Sequence, residues 1–269
     1  MKRVSEGPLF HAFFLGFYKD NVRHGLSEFI SLMRRVTPDF ELYFIDNGRN
    51  GPDSLPGAVR YIEGDNSRWE FSGWDAGMHH AGGGDDRDVY IFCNDTFCFN
   101  RDWSAAESAR FVKAFRKLAR IDGPALSGEF NSFDKRFTLN GVQLSGWVST
   151  YLFGMSGTLL KTMGSRLTVP DDVLNQLFLT IQDQKIVWGE DIDPILSAHI
   201  SRWMFPKDAG AGWYKSSGAS DELKINKVRA ILNEKYLTAC CIRLGGKLVR
   251  TNPGIVQRAF RKAKSAICM

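Results

Sequence analysis

Cysteine is scarce in this chain and shows no pairing pattern. The five residues, Cys93, Cys98, Cys240, Cys241 and Cys268, are odd in number and contain no C-x-x-C pair, which points away from a disulfide framework and from a structural zinc site. Long apolar runs are also missing. The longest, Leu9 to Tyr18, contains His11 and falls short of the roughly 20 apolar residues that a membrane-spanning helix needs. Met1-Lys2-Arg3 imitates the basic opening of a secretory signal, but Glu6 and Pro8 interrupt it and no small-x-small cleavage site follows. Leu9 to Tyr18 is therefore read as a first core strand, and the cytosol is the expected compartment. No G-x-x-x-x-G-K-[ST] occurs, Gly82-Gly83-Gly84 lacks the G-x-G-x-x-G spacing, and no internal repeat is visible.

What is present is enough to fold. With 269 residues, 43% of them hydrophobic, the chain can bury a large core as one α/β domain or as one domain with an appendage. Leu26, Phe29, Ile30 and Met33 follow i, i+3, i+4, i+7 spacing, so a helix is expected over about 22–36, closed by Pro38. Glu41 to Ile45 reads as a strand ending at the turn Asp46-Asn47-Gly48. These elements make a β-α-β unit, and the runs at Val59 and Tyr90 extend it into a mostly parallel sheet.

The segment from Tyr61 to Thr96 is the most informative. A short strand at 59–62 stops at Gly64-Asp65-Asn66, and Ser67 with Glu70 has capping-box spacing, which predicts a helix from near Arg68. After the triple-glycine break, Val89 to Phe92 reads as a buried strand delivering Asn94 and Asp95 to its carboxyl end. In open α/β sheets that edge binds ligands.

Further along, a surface helix is expected over 104–119, and 128–144 has no clear period and reads as a long loop or irregular strands over the pocket. Trp147 to Leu160 reads as a return to the sheet and Val173 to Ile181 as a helix. Glu190 and Asp191 stand just ahead of another helix, Pro194 to Trp203. The expected division is a catalytic-looking domain over 1–206, a Gly/Ser-rich lid or linker over 207–223, and a basic helical region over 224–269. From Lys224 onward there are eleven Lys or Arg and only one acid, Glu234, against 24 basic and 29 acidic residues before it. Such a region could meet an anionic membrane surface or nucleic acid, or be a solvated helical face. Over 253–267 its apolar and cationic residues separate as in an amphipathic basic helix.

The succession FIDNG, GDNSRWEFSGWDAGMHHA, VYIFCNDT, YLFGMSG and WGEDID resembles the inverting nucleotide-sugar glycosyltransferases of GT-A fold, especially bacterial rhamnosyltransferase-like and polysaccharide-assembly members. The resemblance covers roughly residues 8–205. It implies a GT-A, Rossmann-like, mostly parallel central sheet flanked by helices, here with a basic helical C-terminal appendage. It also implies a nucleotide-sugar donor and a glycan or lipid-linked acceptor in surface polysaccharide assembly, with the protein peripheral to the inner face of the cell membrane.

The same resemblance assigns residues. Asp46 would hold the base or ribose, a task that suits carboxylate oxygens, although Asp46 also suits an Asx turn. Asn66 would lie near the nucleotide. Asn94 and Asp95 match the family's Asp-x-Asp motif in its last member only, which makes Asp95 the expected ligand of a divalent Mg or Mn ion, with Asn94 as a neutral oxygen. Asp191 would take the acceptor's proton with Glu190 as its neighbour or a sugar-hydroxyl contact; the two could exchange roles, and helix capping is the structural alternative. A non-catalytic sugar- or nucleotide-binding module of the same fold is the competing reading. Trp69, Phe71, Trp74, Trp147 and Trp188 offer core packing or a sugar-stacking face. His79-His80 lack a third ligand nearby, and no nucleic-acid reader motif accompanies the basic region.

Overall fold

The computed structural model describes residues 7–49, 51, 55–56, 58–82, 84–99, 103–206, 208 and 212–252. Alternation of large apolar side chains builds its centre. In β1 (Phe10–Gly16), β2 (Glu41–Asp46) and β5 (Val89–Asn94) successive residues point to opposite faces, and nearly all are buried. These strands pair in parallel, with β3 (Val59–Glu63) beyond β2. On one face Tyr43 and Phe13 stack at 4.8 Å, Phe13 and Phe92 at 5.0 Å, and Phe92 and Phe153 at 4.9 Å, a ring ladder crossing four strands. Each such fully buried ring contributes roughly 1.5–3 kcal/mol.

Helices cover both faces. One core joins Phe14, Phe44 and Ile91 to α1 (Lys19–Val36) and α3 (Ala105–Leu118). The other joins the ring ladder to Phe71, Trp74 and Met78 of α2 (Glu70–Ala81), to α4 (Gly157–Thr162) and to α7 (Asp221–Arg243). The seven-stranded sheet has the order β10-β6-β7-β5-β1-β2-β3, adding β6 (Ala125–Leu139), β7 (Val142–Ser156) and β10 (Lys247–Arg250). Only β7 runs against its neighbours.

Several expectations need correction. Of the two readings of 128–144, the loop gives way and the irregular strands hold: the segment belongs to a long antiparallel hairpin whose register shifts near Gly128–Phe130 and Ser132–Phe137 erase a simple alternation. Its turn is Asn140-Gly141, both with positive φ, the pattern that a two-residue hairpin turn demands. Past the end of β5 this hairpin overhangs the sheet. A third core packs on it, formed with α5 (Asp171–Leu177), a small hairpin of β8 (Phe178–Gln182) and β9 (Lys185–Trp188), and α6 (Pro194–Met204). The helix expected over 173–181 thus stops at Leu177 and continues as a strand.

The capping box is not formed either. Ser67 lies in a three-residue strand, β4 (Ser67–Trp69), and its hydroxyl donates to Asp65 at 2.8 Å, so α2 begins at Glu70 without a side-chain cap. Finally, 224–252 is no appendage. α7 lies along β7, Lys224 and Lys235 are buried, and β10 forms the sheet's far edge. The Lys224 ammonium donates to Gln184 at 2.7 Å, and Lys235 Nζ sits 3.7 Å from the centre of the Trp147 ring. Cations counted as surface charge are therefore partly internal. Within 207–223, Trp213 is buried in the third core and Ser220 caps α7. The amphipathic helix expected over 253–267 lies outside the described residues.

The turn at 140–141 makes a direct prediction. Gly141→Ala forces a Cβ into a left-handed conformation and should lower unfolding free energy by about 1 kcal/mol, read as a fall in urea midpoint at unchanged m-value.

Candidate active site at the carboxyl edge of the sheet

The chain leaves β1 toward β2 on one side and leaves β5 toward β6 on the other, so their carboxyl ends flank a topological switch point, the usual place of a ligand crevice in such sheets. Asp95 stands in that crevice and is buried. Its Oδ2 accepts from the backbone N–H of Phe17 at 2.7 Å and of Tyr18 at 2.5 Å. Tyr18 is the N-cap of α1 and makes no cap of its own, so the Asp95 carboxylate serves the amino end of that helix from a distance. Burial pushes the Asp95 carboxyl up, and the two amides pull it back down.

On the far side of β1, Asp46 is buried at the end of β2. Its Oδ2 accepts from the Gly51 N–H at 2.7 Å and from the Tyr61 hydroxyl at 2.9 Å. Tyr61 is half-exposed, with its hydroxyl raised to about 12 by burial and by the bond to Asp46. The neighbouring Asn47 is a staple. Its amide donates to Asn66 Oδ1 at 2.8 Å and to the Trp69 carbonyl at 3.0 Å, while its Oδ1 accepts from the Asn66 N–H at 3.0 Å. It thereby holds two residues with positive φ, Asn66 at 51° and Trp69 at 54°. For a bulky residue such as Trp that conformation costs on the order of 1–3 kcal/mol. Gly64 is required beside it, because any Cβ there would overlap Asn47 Oδ1.

Beyond β5 a polar cleft of about 340 Å³ opens between Glu70, Asn94, Thr96, Thr150 and Glu234, with Ser149 and Tyr151 on its hairpin wall. Asn94 Oδ1 accepts from the Thr96 hydroxyl at 3.0 Å. Glu234 Oε2 accepts from both the N–H and the hydroxyl of Thr150, each at 3.0 Å. Burial raises the Glu70 carboxyl, Lys227 opposes that rise, and Glu234 adds to it.

Asp46, Asn66, Asn94 and Asp95 are thus gathered at one sheet edge. Glu190 and Asp191 are elsewhere, exposed on the connection from β9 to α6. Their backbone is anchored to α5: the Asp191 N–H donates to the Gln176 carbonyl at 3.0 Å, and Gly189 packs so closely on Gln176 that no side chain fits. Neither residue caps α6. That task falls to Asp193, whose Oδ1 accepts from the Ile195 and Leu196 amides at 2.8 and 3.2 Å. Of the aromatic residues singled out in the sequence, Phe71 and Trp74 are fully buried. Trp188 instead lines a larger cavity of about 930 Å³ against α6, with Trp203 and Phe205.

A divalent cation finds a poor donor set at the strand ends. Asp95 is the single carboxylate at the end of β5 and one of its oxygens already serves two amides, Asp46 at the end of β2 is bonded to Gly51 and Tyr61, and among the described residues no group of three or more His, Cys, Asp or Glu is placed to hold a metal. Magnesium and manganese favour several converging oxygen ligands.

Sequence reasoning missed Asn47, Glu70, Thr150 and Glu234. Glu70 was absorbed by the capping-box reading. Glu234 carried a usable signal, as the only acid in an otherwise basic segment. No protein-family model and no curated protein matches this chain.

Asp95→Ala should cost about 3 kcal/mol, because two recessed amides lose a charged acceptor. Chemical denaturation checks the loss, and faster hydrogen exchange at Phe17 and Tyr18 would locate it.

Proposed function

We propose that this chain is an inverting glycosyltransferase of GT-A type that moves a sugar from a nucleotide-sugar donor to a hydroxyl of a glycan or lipid-linked acceptor. The observation that carries this reading is the polar cleft beyond β5, lined by Asn94, on the same carboxyl edge of the sheet as Asp46, Asn66 and Asp95, the residues that the sequence resemblance assigns to the donor. Phe17, Tyr18 and Tyr61 add partly exposed rings along that edge, suited to lie against a nucleobase. Asp46 holds the Gly51 amide and the Tyr61 hydroxyl beside each other. Ser149, Thr150, Asn94 and Thr96 supply hydroxyl and amide groups that match a sugar ring.

The reaction needs a carboxylate to take the acceptor's proton as its oxygen attacks the anomeric carbon opposite the diphosphate. The resemblance offers Asp191 with Glu190; the cleft offers Glu70 and Glu234. No step is routed through a metal, given the donor set around Asp95. A second reading, a binding module without turnover, draws on the same fact: Asp95 Oδ2 is engaged in holding the β1–α1 turn.

Thermal shift against UDP-, GDP-, dTDP- and CMP-sugars tests the donor class. One nucleotide series at about 100 times its Kd should stabilise the native state by roughly 2.7 kcal/mol, raising the melting midpoint by about 5–10 °C, and Asp46→Ala should abolish the shift. Release of free nucleotide separates the readings: a shift without release favours the binding module, and no shift with any series removes both.

Work at a membrane face follows from the proposed acceptor. Among the described residues no helix is long and apolar enough to cross a bilayer, so contact would be peripheral, through the cations of 253–269. Each Lys or Arg near an anionic surface adds roughly 1 kcal/mol. Deleting 253–269 should abolish flotation with phosphatidylserine liposomes; undiminished flotation would remove the membrane role.

A further inference from the structure

We infer that Glu70 is the carboxylate that takes the acceptor's proton, an assignment that rests on the sugar-transfer reading. A general base must lie where the bond forms, within hydrogen-bond reach of the attacking hydroxyl. The cleft at the strand ends is lined by Glu70 together with Asn94 and Thr96, the residues bracketing Asp95. Glu190 and Asp191 do not line it and are exposed beyond the β8–β9 hairpin.

The two carboxylates in the cleft are not equivalent. Glu234 is committed through Oε2 to the Thr150 amide and hydroxyl, and its Oε1 lies 4.0 Å from the Lys235 ammonium. That pairing makes Glu234 a fixed wall. Glu70 leads α2 directly after Trp69, whose positive φ is imposed by Asn47. The strained joint therefore places the Glu70 side chain at the cleft instead of in the capping position that its sequence spacing predicts.

Lys227 and Glu234 stand two turns apart on α7 and act electrostatically on Glu70 from opposite signs. Glu70 in turn acts electrostatically on Asp95, whose carboxyl it helps to raise. Burial raises the Glu70 carboxyl, which strengthens it as a base relative to an exposed carboxylate. In the transfer step the acceptor O–H proton passes to Glu70 while the oxygen forms its bond to the anomeric carbon. The bond from that carbon to the diphosphate oxygen breaks, and its electron pair leaves with the nucleoside diphosphate. Glu70 then returns the proton to solvent.

The test compares Glu70→Gln, Glu70→Asp and Asp191→Asn in full-length protein, with donor affinity from calorimetry and transfer rate from nucleotide release. Glu70→Gln should lower kcat by about 100-fold or more, a larger loss than Asp191→Asn causes, while donor Kd stays within threefold. Glu70→Asp, which keeps the base but shortens its reach, should recover part of the rate. With Lys227→Ala the acidic limb of the kcat/KM profile should move to higher pH, because a cation that favours ionised Glu70 is gone. Retained turnover in Glu70→Gln, or a greater loss in Asp191→Asn, would overturn the assignment while leaving the transferase reading intact. Failure of the wild type to bind any nucleotide sugar would sink both.

Discussion

A single carboxylate oxygen ties the two halves of the switch point together. Asp95 leaves the end of β5 and receives the Phe17 and Tyr18 amides of the β1–α1 turn, so the strand that ends the parallel run fixes the helix that began it. Gly25 lets α1 come close enough for this, since a Cβ there would press on the Asp95 carbonyl and the Phe14 ring. Asn47 performs a parallel task between β2 and the segment before α2. The crevice owes its shape to these internal bonds. Motif residues that look like ligand contacts in a sequence are, in the fold, first of all fasteners.

The parallel half was legible because its signals are local. Strands such as Phe10–Gly16 and Val89–Asn94 are nearly continuous apolar runs, and α1 carries a clear stripe. The hairpin of β6 and β7 was harder, because its irregular register breaks alternation and its outer arm buries residues against the distant α5, β8, α6 and α7. Its turn carried a local signal, Asn140-Gly141, that the reading of 128–144 did not use. Glu70 could not be placed from sequence. Spacing predicts a capping box, and only the Asp65–Ser67 bond and the forced backbone of Trp69 divert it.

The basic region shows how charge counts mislead when burial is unknown. Lys224 and Lys235 contribute to the formal excess yet sit inside, one bonded to Gln184 and the other laid over Trp147. Desolvation lowers Lys235 to about 8, with Glu234 working against it. An interior cation of this kind needs an anion nearby, and the one acid of the segment is also the one that closes the cleft.

The overhang of β7 has an architectural consequence. Residues 142–151 run past Leu152, the last residue of β7 that pairs with β5, an extension of roughly 30 Å at strand spacing. This cantilever carries a separate core, so the edge where the parallel strands end and the wall that rises beyond it are built from different stretches of chain. Lengthening, shortening or repacking the cantilever would remodel one bank of the crevice directly and reach the other through Trp69, which packs against this third core. A fold divided in this way lets selection vary what approaches from the far bank while the near one feels the change only where Trp69 joins them.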